Sequence, residues 1–200
     1  MRSAALVALF LLLPPSAQAA EQSFDTLARN AERVDALETF LSRFVGRCTD
    51  VYERQKCEAN VAEARRQISG RAFAVRVTDA ASLVRPERRG QGYLLLVTPF
   101  FAGGDLALTS GVPKKQDPEG RPVVDLLPIP GAVPPGMMEM EFESPFRTGA
   151  IELEVVFRPE KVWRLSRRGE KGSYEGVAAR LLAVRVIDSR TGNEIASRVM

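Results

Sequence analysis

No histidine occurs anywhere in the 200 residues, and that absence removes more chemistry than any motif present adds. Without imidazole there is no Ser-His-Asp or Cys-His nucleophile, no histidine-ligated zinc, and no side chain that ordinarily titrates near neutral pH. Cysteine is nearly as scarce. The chain has 2, too few for an all-thiolate zinc site or an all-cysteine iron–sulfur cluster. Long apolar runs are missing as well: beyond the N-terminal segment the longest spans residues 93–97, far short of the ~20 needed to cross a bilayer. Nor is charge of one sign in excess, since 28 Lys+Arg face 25 Asp+Glu for a formal +3. Such a balance gives no reason to expect a nucleic-acid partner. Gly-x-Ser-x-Gly, Ser-x-x-Lys and P-loop motifs are absent. No cofactor and no metal site is read from the residues.

What is present is the composition of a folded domain, 45% apolar and 26% charged, which disfavours disorder and fibre. The first residues read as an address. Arg2 gives a positive start, residues 4–13 are uniformly apolar, Pro14, Pro15 and Ser16 break any helix, and Ala17-Gln18-Ala19 offers small residues to a peptidase. The pattern predicts a signal peptide over 1–19, cleaved after Ala19, and no cysteine follows closely enough to anchor a lipoprotein. The remainder is expected in the periplasm or outside the cell, with no transmembrane segment.

Export makes Cys48 and Cys57 informative. They lie nine apart with no competing thiol, and an oxidising compartment allows a bridge between them. Closing so short a loop stabilises by about 2.5–3 kcal/mol in the chain-entropy picture. The Cys-x-x-Cys spacing of redox catalysts is absent, so the pair reads as structural.

Phe24, Leu27, Ala31, Val34, Leu37, Leu41 and Phe44 recur every three or four residues, predicting one amphipathic helix from Ser23 or Asp25 to Gly46. Cys57, Val61, Ala64 and Ile68 form a second stripe ending at Gly70. A helix starting at Asp50 would carry Cys57 about 10 Å along its axis, out of reach of Cys48. The bridge therefore predicts a non-helical chain until about Tyr52 or Glu53. After Gly70 the period becomes two, over Phe73, Val75 and Val77, at Leu106 and Leu108, and over Ile151, Leu153, Val155 and Phe157, while residues 93–98 read as a buried strand. Met138, Met140 and Phe142 alternate with Glu139, Glu141 and Glu143, which predicts a further strand there. Residues 177–188 are apolar on parts of both faces, as in a strand near the middle of a sheet, and turn back through Ile195 and Val199. The expected fold is α+β: a disulfide-stapled helical hairpin over 20–70, then a mostly antiparallel β domain, barrel or sandwich, over 71–200. Seven of the 13 prolines fall within residues 111–136, which is expected to be a loop kept out of central strands. Val123, Val124, Leu126, Leu127 and Ile129 are too apolar for a floating loop. They make either a lid on the core or an exposed interaction patch, and the lid is favoured.

Three constellations can carry chemistry. Glu139, Glu141 and Glu143 with Glu152 and Glu154 could place carboxylates on facing strands joined through residues 144–150, for calcium or for glycoside hydrolysis. Set against that, solvated strand faces interleaved with Arg158, Arg164 or Arg180 explain the same pattern. Met137, Met138 and Met140 could hold copper(I), though strand methionines more often fill core gaps. Trp163 with Arg164, Arg167, Arg168 and Lys171 could meet polyanions, against a plain charged hairpin tip.

The stretches Phe44-Val45-Gly46-Arg47-Cys48-Thr49-Asp50, Leu96-Val97-Thr98-Pro99-Phe100-Phe101 and Val156-Phe157-Arg158-Pro159-Glu160-Lys161-Val162-Trp163 carry a resemblance, as does Asp188-Ser189-Arg190-Thr191-Gly192. Through them the chain resembles an uncharacterised family of exported myxobacterial proteins of unknown function, over nearly its whole mature length. The resemblance implies export and brings no activity, cofactor or catalytic residue. The expected function is a non-enzymatic binding or accessory protein of the cell envelope, its partner a protein or an envelope component. Leu126, Leu127, Trp163, Arg167 and Arg168 are the candidate contact residues. The alternative is an envelope- or carbohydrate-directed hydrolase using the strand glutamates.

Overall fold

The clearest alternating run of the sequence builds the centre of the fold, which is α+β. In the computed structural model, which describes residues 23–48, 50–90, 92–166 and 173–200, four helices accompany mostly antiparallel sheets. The first part contains α1 (Phe24–Arg29), β1 (Glu32–Val34), α2 (Leu37–Val45) and α3 (Arg54–Ile68). Then come β2 (Phe73–Val77), a 3-10 turn (Ala80–Leu83), β3 (Val84–Arg89), β4 (Gly92–Val97), β5 (Phe100–Gly103) and β6 (Leu106–Ser110). The proline-rich stretch holds β7 (Lys115–Gln116), β8 (Pro122–Val123) and β9 (Leu127–Gly131). The chain ends with α4 (Glu139–Thr148), β10 (Ile151–Ser166), β11 (Ser173–Asp188) and β12 (Glu194–Val199). The expected signal peptide over 1–19 lies outside the described residues.

β10 and β11 pair antiparallel from Ile151↔Asp188 to Ser166↔Ser173. The other edge of β11 takes β6, parallel, at one end and β12, antiparallel, at the other, so the strand apolar on both faces is indeed interior. β2 lies outside β10, β1 outside β2, and β5 outside β6, giving the order β1-β2-β10-β11-β6-β5. A smaller sheet, β3-β4-β9, contributes Tyr93, Leu95, Val97 and Ile129 to the same apolar cluster as Leu153, Val155, Phe157, Val177 and Val184 of the large sheet. Neither sheet closes on itself, so no barrel forms among the described residues.

Two expected elements differ. The stripe from Phe24 to Phe44 is not one helix. The chain leaves α1 at Asn30 and runs as β1 beside β2 before α2 begins. The apolar spacing continues across the break because its two halves serve opposite faces of the sheet. Phe24, Leu27, Ala28 and Ala31 pack with Val156 and Ala183, whereas Val34, Leu37, Leu41 and Phe44 pack into the main core. The second difference is at Met138–Phe142, expected as a strand and found at the start of α4. Glu139 and Glu141 favour the positive end of a helix, and the Glu141 carboxylate accepts from the Met138 backbone N–H at 3.2 Å. Phe142, Pro145 and Phe146, at helical spacing, then face inward.

Cys48 and Cys57 are bridged, with Cα atoms 5.7 Å apart, and α3 begins at Arg54, as the bridge requires. Arg65 of α3 donates to the carbonyls of Phe44 and Val45, both at 2.7 Å, satisfying groups that the end of α2 leaves open. Arg47, beside the bridge, donates from Nε to Glu175 at 2.9 Å and so ties this loop to β11.

The proline-rich segment is more ordered than a loop. β7 and β8 form a two-stranded ribbon, and β9 is an edge strand on β4. Pro128 and Pro130 alternate there with Leu127, Ile129 and Gly131, so the ladder's N–H groups can all come from those three. Segment aliphatics divide accordingly. Ile129 is fully buried and Leu127 half-buried, whereas Val123 and Leu126 face solvent.

Candidate functional site

α4 presents one face to the core and the other to a groove. On the inner face the Phe142 ring packs against Tyr93 at 4.6 Å between centroids, and the Tyr93 hydroxyl donates to Glu143 at 2.6 Å. That bond to a carboxylate raises the Tyr93 pKa above its ordinary value. At the start of α4 and just before it the methionines are exposed, Met137, Met138 and Met140 at 40%, 59% and 62%, although Met138 and Met140 were expected to fill a strand core.

The opposite wall is the turn between β11 and β12. Asp188 accepts from Arg190 at both oxygens, from Nε at 3.1 Å and Nη2 at 3.0 Å, and also from the Arg190 backbone N–H at 3.0 Å. These bonds hold the Asp188 carboxyl below the usual carboxylate range. Arg190 reaches across to Ser144 of α4 at 3.1 Å, which fixes the width of the groove. The space enclosed is about 410 Å³, and Pro134, Met137, Met138, Met140, Arg147 and Ile195 line it.

A larger cleft, about 1040 Å³, lies beneath α1 against β2, β10 and β11. Its floor is a set of closed ion pairs. Arg185 covers the Phe24 ring at 4.2 Å from its centroid and donates to Glu154 at 3.0 Å and Asp25 at 2.9 Å. Arg76 donates to Glu152 at 2.6 Å. These contacts fasten α1 to the sheet and engage both strand glutamates.

The residues singled out from the sequence scatter. Glu152 and Glu154 sit on β10 beside arginines, but from β2 and β11, where Arg158, Arg164 or Arg180 were expected. Glu139, Glu141 and Glu143 belong to α4 and do not face them on a paired strand: Glu139 pairs with Arg88 at 2.8 Å, Glu141 caps the helix, and Glu143 takes the Tyr93 hydroxyl. Trp163 is 4% exposed, and its Nε1–H donates to Thr109 Oγ1 at 2.9 Å, so a partner cannot stack on it. Arg167, Arg168 and Lys171 lie outside the described residues. Leu126 is 46% exposed and available, and Leu127 points into the core. The groove beside α4 was not anticipated. Its available signal was the pair Glu139 and Glu141 before Phe142, Pro145 and Phe146, a helix start that the Met/Glu alternation obscured.

Among the described residues no helix is long and apolar enough to cross a membrane. Neither a curated protein nor a solved structure matches the chain. A family model does match, over residues 1–199: the chain belongs to DUF6066, a family of unknown function.

Proposed function

We propose that the protein is exported and acts as a non-enzymatic binding or accessory protein of the cell envelope, in the periplasm or outside the cell. The groove beside α4 serves as its working surface. The observation that carries this reading is the exposure of Met137, Met138 and Met140 along one groove, outside the three buried clusters. Exposed apolar groups gathered at a concave surface are the usual mark of an interaction site. The leader pattern over 1–19 and the bridge between Cys48 and Cys57 support export. So does the resemblance to exported myxobacterial proteins. On this reading α2, the bridge and α3 act as a stapled helical hairpin, a second surface displayed beside the sheet.

The competing hydrolase reading needs two carboxylates free to exchange protons across a substrate. Glu152 and Glu154 are instead bonded to Arg76 and Arg185. The test is to assay the purified protein against polysaccharide, peptidoglycan and ester substrates. No turnover is expected. Turnover that Glu141→Gln or Glu152→Gln abolishes would overturn the binding reading.

A further inference from the structure

Methionine is adaptable and apolar, and its ordinary use is to fill irregular space in a core. Met137, Met138 and Met140 are used otherwise. They are exposed, belong to none of the three buried clusters, and all line the groove between α4 and the β11–β12 turn. They are three of the chain's 5 methionines, set within four consecutive positions. Neither histidine nor free thiol competes, since the chain has no histidine and both cysteines are held in the bridge.

Thioether sulfur is a soft, uncharged donor. It suits copper(I) and silver(I), and it is a poor ligand for calcium or magnesium, which need oxygen, and for zinc, which prefers thiolate or imidazole. The electrostatics allow a single positive charge. The positive end of α4 opposes a cation there, and Glu141, in its first turn and lining the groove, offsets it, whereas Glu139 is paired with Arg88 and Asp188 with Arg190. Of the two arginines lining the groove, Arg190 is bonded to Asp188 and Arg147 donates to the Met140 carbonyl at 3.2 Å.

We infer that Met137, Met138 and Met140 form a binding site for a soft monovalent cation, copper(I) or silver(I), held through their thioether sulfurs. The inference rests on the reading of this groove as a binding surface and names the ligand it takes.

The test is a silver nitrate titration, in chloride-free buffer, of protein carrying methyl-labelled methionine, followed by methyl NMR. The resonances of Met137, Met138 and Met140 are expected to move together and saturate at one silver per chain. Met200 stays in place, and zinc sulfate moves none of the three. Copper(I), supplied anaerobically as its acetonitrile complex, displaces the silver. A variant carrying Met137→Leu, Met138→Leu and Met140→Leu keeps the wild-type melting temperature, because all three side chains face solvent, and loses at least about tenfold in silver affinity. Absence of the methyl shifts, or silver binding that survives the triple substitution, overturns the inference. Silver that copper(I) fails to displace overturns its copper half. None of these results bears on substrate turnover, so failure of the metal site and failure of the binding reading are told apart.

Discussion

Trp163 reaches its place because residue 176 has no side chain. A Cβ on Gly176 would stand 2.2 Å from the Ala107 carbonyl oxygen and 2.5 Å from the indole ring. Backbone cannot yield that much, and the ring is held by its bond to Thr109. Gly176→Ala is therefore expected to destabilise the fold by about 2–3 kcal/mol through overpacking, read from urea unfolding. An unchanged midpoint would contradict the packing described. The same residue shows where the sequence stops being legible. Counting by twos from Ile151 puts Trp163 on the side of Leu153, Val155 and Phe157. The ladder, however, shifts register between Pro159 and Lys161. Beyond that point Val162 faces the main core, and Trp163 packs with Ala107 and Ala178 on the other side. A bulge has no reliable signature in hydrophobic alternation, and one extra residue exchanges the two faces of a strand.

At the scale of elements, β2, β6 and the first half of β10 were legible from alternation, β4 and β11 from apolar runs on both faces, and β12 from the turn before it. The start of α3 was legible for a different reason: the reach of a disulfide excludes an earlier helix. The break between α1 and α2 was not, since the spacing of apolar residues records burial and cannot say which face of a sheet each half covers. The proline-rich segment resolves into positions with opposite roles. Leu126 stands in solvent just before β9, and Ile129 within it is fully buried. Leu126→Asp should leave stability within about 0.5 kcal/mol of the wild type, as for other exposed sites. Ile129→Ala should cost about 2–5 kcal/mol, the range for emptying a core position. Thermal and urea unfolding of the two variants side by side check this. A large loss from Leu126→Asp would mean that the residue closes over the core as a lid.

At the scale of the molecule, helices and sheets share one core. Leu41, Phe44, Val45 and Ile68 belong to the same buried cluster as Leu95, Ile129 and Val155, so the helical and β regions stabilise one another. The interaction reading draws on that scale as well. Ion pairs engage Arg185, Glu154 and Asp25 in the cleft under α1, whereas the groove beside α4 is lined by exposed apolar groups that lie outside the buried clusters. Everything proposed for function presumes export, which is what closes the bridge and places the groove in the envelope. The measurement that tests this most directly is the intact mass of the protein recovered from its producing cells after fractionation. The account predicts a chain beginning at Ala20, found in the periplasmic or extracellular fraction, with the mass of the closed Cys48–Cys57 bridge. A cytoplasmic chain that retains residues 1–19 and carries two free thiols would contradict it.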